Sequence, residues 1–171
     1  MKKLMNEKTN FVADMLKGIE VMDNSVEIIS GNVVVRKNVK KSGVALVSGG
    51  GSGHEPAHAG YVAQGMLDAA VCGEVFTSPT PDKMYECGQA IDGGAGVLLR
   101  IKNYTGDVLN FETATELLHD SGVAVATVLV DDDVAVKDSL FTAGRRGVAN
   151  TVLMEKLLGA AAARGDDLDS V

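Results

Sequence analysis

The sequence has few of the residues that define disulfide-rich, metal-binding or membrane-spanning proteins. Its 171 residues include two cysteines, three histidines and three prolines, no tryptophan, and only 4% aromatic residues. Cys72 and Cys87 have neither disulfide-framework nor metal-site spacing, so we interpret both as small apolar residues in a reducing cytoplasm. The best apolar run, Val123 to Val130, is eight residues long, which predicts a core strand rather than a membrane span.

Basic residues are also too few for a protein that binds polyanions. Lys and Arg number 16 against 23 Asp and Glu, and the net charge of −7 argues against nucleic acid or an anionic membrane as the main partner. The N-terminus has no apolar segment of the secretory type, so we expect a cytoplasmic protein. With 46% apolar residues, the chain can build one domain around a full hydrophobic core.

Strand-like and helix-like segments alternate along the chain, which predicts an α/β fold of three layers, with a largely parallel central sheet and helices on both faces. A first helix is expected to begin near Phe11, capped by Thr9 or Asn10. The other predicted helices are residues 56–67, 82–90, 110–119 and 148–164, and the predicted strands are 33–35, 44–47, 69–72, 96–101 and 123–130. Ligands of such sheets bind beyond the carboxyl ends of the strands, so we expect the segments carrying His54 and Asp107 to meet there.

The most informative segment is Ser48–Gly60, which has four glycines in five residues between positions 49 and 53. Glycine lets the backbone approach a ligand and present its N–H groups. Pro56 suits the first turn of a helix, whose N-terminus adds partial positive charge. We interpret the segment as a loop that holds an oxygen-rich small molecule or an anion, with His54 and Glu55 beside it. A tight turn without a ligand is the alternative.

Three other interpretations of this segment fit less well. His54 to His58 satisfies the H-E-x-x-H pattern of zinc proteases, but Pro56 interrupts it and only His119 is left as a third imidazole. The segment has no Lys-Ser/Thr of a nucleotide P-loop, and the glycine that a nucleophile elbow needs two places after Ser52 is absent. No metal site is therefore predicted in this chain.

Two charged clusters lie later in the chain. The triplet 131–133 consists of three aspartates and could hold magnesium, although a solvated strand end with one carboxylate capping a turn is the favoured interpretation. Arg145 and Arg146 lie between two glycines and fit either a phosphate or partner contact or a surface ion pair. His119, at the end of a predicted helix, fits an interaction with the helix C-terminus.

Four segments in this order resemble dihydroxyacetone kinases, and more narrowly the substrate-binding K subunit of the bacterial, phosphotransferase-dependent type. They are residues 48–56, residues 76–82, residues 102–107 with 110–112, and residues 131–136 with 142–147. The resemblance extends through essentially the whole chain and is densest from Gly43 to Gly159. It implies that residues 1–171 are the N-terminal substrate-binding domain of such a kinase.

The resemblance further implies that six residues hold dihydroxyacetone and that two of them, His54 and Asp107, are the acid/base groups. The six are Gly51, Ser52, Gly53, His54, Lys102 and Asp107. It also implies that this chain binds no cofactor: ADP or ATP with magnesium is expected on a separate L subunit, which a phosphotransferase component recharges. A homodimer is expected, because the family is usually dimeric.

The family's covalent histidine, which captures the substrate carbonyl, lies in a later region that is not present in this chain. We therefore expect more protein to follow, and weak triose binding with little turnover from these 171 residues alone. Some relatives act instead as dihydroxyacetone-sensing coactivators of a transcription regulator. His54, Lys102 and Asp107 together favour the enzyme, because sensing alone needs no base. A binding protein for another short polyol or ketose is a third possibility.

Overall fold

The computed structural model describes residues 2–38, 42–136, 139–140 and 142–171, in which it shows four α-helices and six strands. In chain order these are α1 (Phe11–Met22), β1 (Val26–Ile29), β2 (Val33–Arg36), β3 (Ala45–Ser52), β4 (Ala69–Val75), α2 (Pro81–Ile91), β5 (Val97–Lys102), α3 (Thr105–Asp120), β6 (Val125–Val130) and α4 (Asn150–Arg164). Two short 3₁₀ turns lie at Lys8–Asn10 and Ala59–Tyr61. In these described ranges, no helix has both the length and the apolar character needed to cross a membrane.

The strands form one sheet in the order β1-β2-β4-β3-β5-β6. β4, β3, β5 and β6 are parallel to one another, whereas β1 and β2 are antiparallel additions beside β4. The predicted largely parallel sheet is therefore confirmed. β1 was not predicted, because this four-residue segment has Glu27 inside it and gains its ladder only by pairing with β2.

Helices cover both faces of the sheet, which confirms the three layers. On one face, α2 and α3 pack Met84, Phe111 and Leu118 against the strands. On the other face, α1 and α4 contribute Leu16 and Leu158 to a second apolar cluster.

Each of these clusters contains one cysteine. Cys87 lies in the cluster under α2 and α3, and Cys72 lies in the cluster under α1 and α4. Both cysteines are free thiols that pack as small apolar residues, as predicted. Burial raises the pKa of the Cys72 thiol to about 12 and also raises that of Cys87.

The prediction of a glycine-rich loop directly after residue 47 is wrong, because β3 continues through the glycines to Ser52. A Cβ atom on Gly49 would lie 2.5 Å from the Val71 carbonyl oxygen, and one on Gly51 would lie 2.5 Å from the Thr77 nitrogen. Glycine is needed at these positions because neighbouring backbone approaches closely, which is one of its ordinary uses. Only the following residues, from Gly53 onward, leave the sheet.

The predicted helix over residues 56–67 is also wrong, since the segment consists of turns with the single 3₁₀ turn at Ala59–Tyr61. Gly65 has a φ of +73°, a left-handed conformation that ends a helix rather than continuing it. His58 is buried and makes polar contacts in the interior instead of lying on an exposed helical face.

The remaining boundaries are close to the prediction, with one shift that matters for function. α1 begins at Phe11 as expected, and Asn10 occupies the N-cap position without a capping side-chain hydrogen bond. α3 begins at Thr105, five residues before the predicted start at 110, so Asp107 lies in its first turn and not in a loop. An acidic side chain is favourable there, because the first turn of a helix carries partial positive charge.

Candidate active site

A cavity of about 420 Å³ opens at the carboxyl ends of β3 and β5. The chain leaves β3 toward β4 on one side and leaves β5 toward β6 on the other, so the crevice lies where the strand order reverses. Such switch points are the usual ligand sites of open α/β sheets. The volume falls within the range of small-molecule sites. The cavity wall includes Gly51, His54, Lys102 and Asp107, so the sequence-based expectation that the two segments meet is correct.

The other two residues of the predicted substrate set do not line the cavity. The Ser52 hydroxyl donates to the Gly73 carbonyl oxygen at 2.7 Å and is buried. The N–H of Gly53 donates to the Glu55 carboxylate, at 2.9 Å for the nearer oxygen. Gly53 has a φ of +107°, which glycine tolerates better than any other residue. In this structure both residues shape the corner after β3.

His54 and Phe76 form the mouth of the cavity. Their rings lie edge to face with centroids 5.1 Å apart, and both side chains are exposed. A Cβ atom on Gly53 would come within 2.8 Å of the Phe76 ring, so the glycine leaves room for this aromatic pair. Phe76 was not predicted as a site residue, although it opens one of the segments that carry the family resemblance.

Lys102 and Asp107 supply the charges inside the cavity. Burial raises the pKa of the Asp107 carboxyl, against the opposing effects of a hydrogen bond from Ser78 and the positive charge of Lys102. Burial also lowers the pKa of the Lys102 ammonium, which the charge of Asp107 partly offsets. Groups whose pKa values are moved by burial and by a charged neighbour are typical of functional sites. Here they provide a proton acceptor and a hydrogen-bond donor on one wall.

A buried ionic cluster of Ser48, His58, Arg100 and Glu155 lies beneath this wall. Arg100 Nη2 donates to Glu155 Oε1 at 2.6 Å, and His58 Nδ1 lies 3.2 Å from the same oxygen. The Ser48 hydroxyl donates to the Arg100 carbonyl oxygen at 2.9 Å. All four side chains are buried.

This cluster was not predicted from the sequence, although a signal was present. Arg100 interrupts the apolar strand β5, and Glu155 lies on the buried stripe of α4 with Thr151, Leu158 and Ala162. Opposite charges at two interior positions predict an ion pair, because a buried charge without a partner is strongly unfavourable.

Carboxylates of the aspartate triplet 131–133 cap turns, which is the interpretation favoured from the sequence over a magnesium site. Asp132 accepts hydrogen bonds from the Val148 and Asn150 backbone N–H groups at 2.7 and 2.8 Å, next to the start of α4. Asp133 accepts two hydrogen bonds from Arg146, at 2.9 and 2.7 Å, so the surface ion-pair interpretation of Arg146 is confirmed. Within the described ranges, no group of three or more His, Cys, Asp and Glu side chains is arranged to hold a metal ion.

The two histidines of the H-E-x-x-H pattern have different environments. His54 is exposed at the cavity mouth, whereas His58 points into the interior beside Glu155. They do not share a helix face, which the zinc interpretation requires. His119 lies in the last turn of α3 and is exposed, and its predicted interaction with the helix C-terminus stays a prediction.

Comparison with known proteins places this arrangement in a family. The family model described as the Dak1 domain matches residues 17–171. The chain belongs to the Dak1 family. Among its Dak1 relatives, the dihydroxyacetone-binding subunit DhaK of the PEP-dependent dihydroxyacetone kinase of Escherichia coli is 64% identical over 99% of this chain and 48% of that protein. The DhaK subunit of a PTS-dependent kinase of Listeria innocua is 56% identical over the whole chain and 53% of its own length.

Two solved structures have the same fold over this chain. The dihydroxyacetone kinase of C. freundii, in complex with AMP-PNP and Mg²⁺, superposes with a TM-score of 0.92 at 41% identity, over 98% of this chain and 32% of that one. The dihydroxyacetone kinase operon co-activator DhaQ superposes with a TM-score of 0.87 at 36% identity, over 92% of this chain and 49% of its own. The chain thus spans about half the length of the curated DhaK subunits that it matches.

Proposed function

We propose that this chain is the dihydroxyacetone-binding part of a kinase that converts dihydroxyacetone to dihydroxyacetone phosphate. The observation that carries the proposal is the cavity at the β3–β5 crevice, which brings His54, Lys102 and Asp107 together. The 64% identity to a dihydroxyacetone-binding subunit supports the choice of substrate. The phosphoryl donor in this proposal is ATP with magnesium, held on a separate L subunit and recharged by a phosphotransferase component.

The chemistry of the cavity fits phosphorylation of a primary alcohol. The Asp107 carboxylate takes the hydroxyl proton as the hydroxyl oxygen bonds to phosphorus and the nucleoside diphosphate leaves. The raised pKa of Asp107 makes it a stronger base than an exposed carboxylate. Lys102 donates a hydrogen bond to a substrate oxygen, and His54 at the mouth polarises the substrate or passes on the proton.

Three further expectations belong to this proposal. The protein acts in the cytoplasm and forms a homodimer that docks the L subunit. Gly51, Ser52 and Gly53 contribute backbone contacts to the triose. These 171 residues alone bind the triose weakly and turn it over little, because none of the three histidines occupies the place of the family's covalent histidine.

A second candidate is a dihydroxyacetone-sensing coactivator of a transcription regulator. Its support is the structural likeness to the co-activator DhaQ, at a TM-score of 0.87. A sensor needs the cavity and its hydrogen-bond donors but no base. The kinase explains why a buried carboxylate with a raised pKa faces the same space as Lys102.

The deciding experiment measures triose phosphate formation with the intact gene product, the L subunit and the phosphotransferase components. We expect Asp107→Asn to lower turnover by about 10²- to 10⁴-fold, the usual contribution of a general base, with dihydroxyacetone binding retained. Glu116→Gln, an exposed carboxylate on the same helix, is the matched control. Unchanged turnover in Asp107→Asn refutes the base assignment. Binding without turnover in the parent protein favours the coactivator.

A further inference from the structure

Burial of the charged side chains in this ionic cluster costs desolvation free energy, and a gain in stability does not explain why they are buried. Arg100 and Glu155 are almost fully removed from solvent, with side-chain exposures of 1% and 0%. Replacing such a pair by apolar side chains of similar volume is often neutral or stabilising, so a buried ion pair is weak evidence for a stabilising role. This one lies directly beneath a cavity wall that contains Lys102.

The hydrogen bonds around His58 indicate which ring nitrogen carries its proton. Nδ1 lies 3.2 Å from Glu155 Oε1 and 3.4 Å from the Ser48 hydroxyl oxygen, whose own proton goes to the Arg100 carbonyl. Both neighbours are therefore acceptors. Arg100 Nη2 is also 3.2 Å from Nδ1, but a donation from it to Nδ1 would leave a lone pair facing the carboxylate. A proton on Nδ1, donated to Glu155, gives both acceptors a donor, and Arg100 Nη2 keeps its own hydrogen bond to Glu155.

The other ring nitrogen then carries a lone pair. His58 Nε2 is buried and has no hydrogen-bond partner among the described residues. It faces Gly50: a Cβ atom on that glycine would lie 3.2 Å from Nε2 and 3.3 Å from Lys102 Nζ. The Lys102 ammonium and His58 Nε2 thus both lie beside Gly50, the β3 residue that has no side chain. Burial and the charges of Arg100 and Lys102 hold the pKa of His58 well below its usual value, so the ring is neutral.

We propose that Glu155 is a positioning residue that acts on Lys102 through His58. By accepting the Nδ1 proton, Glu155 keeps the lone pair of Nε2 facing the Lys102 ammonium across Gly50, and this electrostatic interaction favours the charged form of Lys102 on the cavity wall. The part of this inference that concerns substrate rests on the proposed function. The proton arrangement does not depend on it, because it follows from the contacts of the protein alone.

Several groups around Lys102 affect its pKa, and an experiment has to separate the effect of Glu155 from the others. Its charged neighbours are Arg100 on β5, Asp107 on α3 and Glu155 on α4, with the His58 ring beneath it and the Tyr104 ring centroid 5.4 Å from Nζ. Asp107 and Glu155 raise the pKa of Lys102, and Arg100 lowers it. Removal of the Glu155 charge is therefore expected to lower the pKa of Lys102.

Two readouts test the proposal without substrate. The ¹⁵N shifts of the three histidines, assigned with His→Gln variants, report the tautomer of His58, and the ¹³Cε shift of Lys102 reports its pKa. The tautomer is recorded at pH 8, where Glu155, whose pKa burial raises to about 7, is mostly ionised. We expect the parent protein to carry the proton on Nδ1. In Glu155→Gln we expect the proton to move to Nε2 and Lys102 to lose its proton about tenfold more readily, a shift of about one pKa unit.

Gly50→Ala separates the effect of Glu155 on the His58 tautomer from the effect of His58 on Lys102. The added methyl group lies between Nε2 and Nζ, so the His58 tautomer should be kept while the effect on Lys102 is lost. At a pH above the pKa of Lys102, dihydroxyacetone affinity should fall by up to about tenfold in both variants, in proportion to the lost fraction of lysine charge. Glu116→Gln and Gly18→Ala are the matched controls, because the first carboxylate is exposed and a Cβ atom on Gly18 meets open space.

The outcomes are distinct. A proton on Nε2 of the parent protein overturns the proposal, and so does an unchanged pKa of Lys102 in Glu155→Gln. If Glu155→Gln does not fold, Arg100→Met with Glu155→Met removes both charges at similar volume, and a His58 proton that stays on Nδ1 in this variant overturns the proposal. The pKa of Lys102 is not compared in this variant, because the loss of Arg100 raises it while the loss of Glu155 lowers it. Failure of the parent protein to bind dihydroxyacetone overturns the proposed function while the two NMR readouts still decide the role of Glu155.

Discussion

The two faces of the central sheet are built from different kinds of residue. On β5, Val97, Leu99 and Ile101 point toward α2 and α3, and all three belong to an uninterrupted apolar cluster. On the opposite face, toward α1 and α4, Leu98 is apolar but the next inward side chain is Arg100. Alternation of side chains along a strand permits this, because each face can be composed independently.

β3, which pairs with β5, shows the same change from apolar to polar side chains on this face. Leu46 pairs with Leu98, and one step further along the same face Ser48 pairs with Arg100. The face toward α4 therefore changes from apolar to polar as it approaches the cavity, whereas the other face stays apolar. We infer that the face under α2 and α3 is stabilised by apolar burial alone, whereas the face under α4 gives up apolar burial at Ser48 and Arg100 to hold charges beneath the cavity.

The largest effect on stability is expected when the apolar face is broken. Leu118→Ala should lower the free energy of unfolding by about 2–5 kcal/mol, because it removes a fully buried side chain and leaves a cavity against α2. Leu117→Ala, on the same helix with a side chain 41% exposed, is the control and should cost less than about 1 kcal/mol. Urea unfolding measures both. Equal losses would contradict the assignment of Leu118 to the apolar core under α2 and α3.

A smaller loss is expected when a polar group is placed on the apolar face. Cys87→Ser puts a hydroxyl into a site that is fully buried among apolar side chains, and should cost about 1–3 kcal/mol. Cys87→Ala separates the loss of volume from the added polarity, since it removes the sulfur without adding a polar atom. If serine is no worse than alanine in urea unfolding, this face tolerates a polar group and the contrast with the α4 face is weaker than we infer.

The sequence predicts the elements whose signals are local. The apolar run Val97–Leu99 of β5, and the proline at the start of α2 with Met84 and Cys87 on its inner side, locate these elements to within a residue or two. The meeting of His54 and Asp107 at one cavity is also predictable, because parallel strands place their carboxyl ends at the same edge of a sheet.

What could not be predicted depends on contacts between distant residues. Gly49 belongs to a strand because the Val71 backbone lies against it, and a glycine-rich sequence alone is equally compatible with a loop. His58 turns inward because Glu155, 97 residues later, lies in the interior beside it. Such pairings become visible only when the helices are packed on the sheet.

Glu155 is also expected to make the stability of the protein depend on pH. Burial raises the pKa of its carboxyl from 4.5 to about 7, against the opposing charge of Arg100, so between these values the folded protein binds a proton that the unfolded chain has released. The contribution of Glu155 to the free energy of unfolding is therefore complete below pH 4.5 and is lost as the pH rises through 7, with a slope of at most about 1.4 kcal/mol per pH unit. Urea unfolding at pH 5, 7 and 9 should show the parent protein losing stability relative to Glu155→Gln as the pH rises, whereas Glu116→Gln should stay parallel to the parent. A Glu155→Gln curve that also stays parallel would mean that the α4 face holds Glu155 ionised across this range, and that Arg100 compensates fully for its burial.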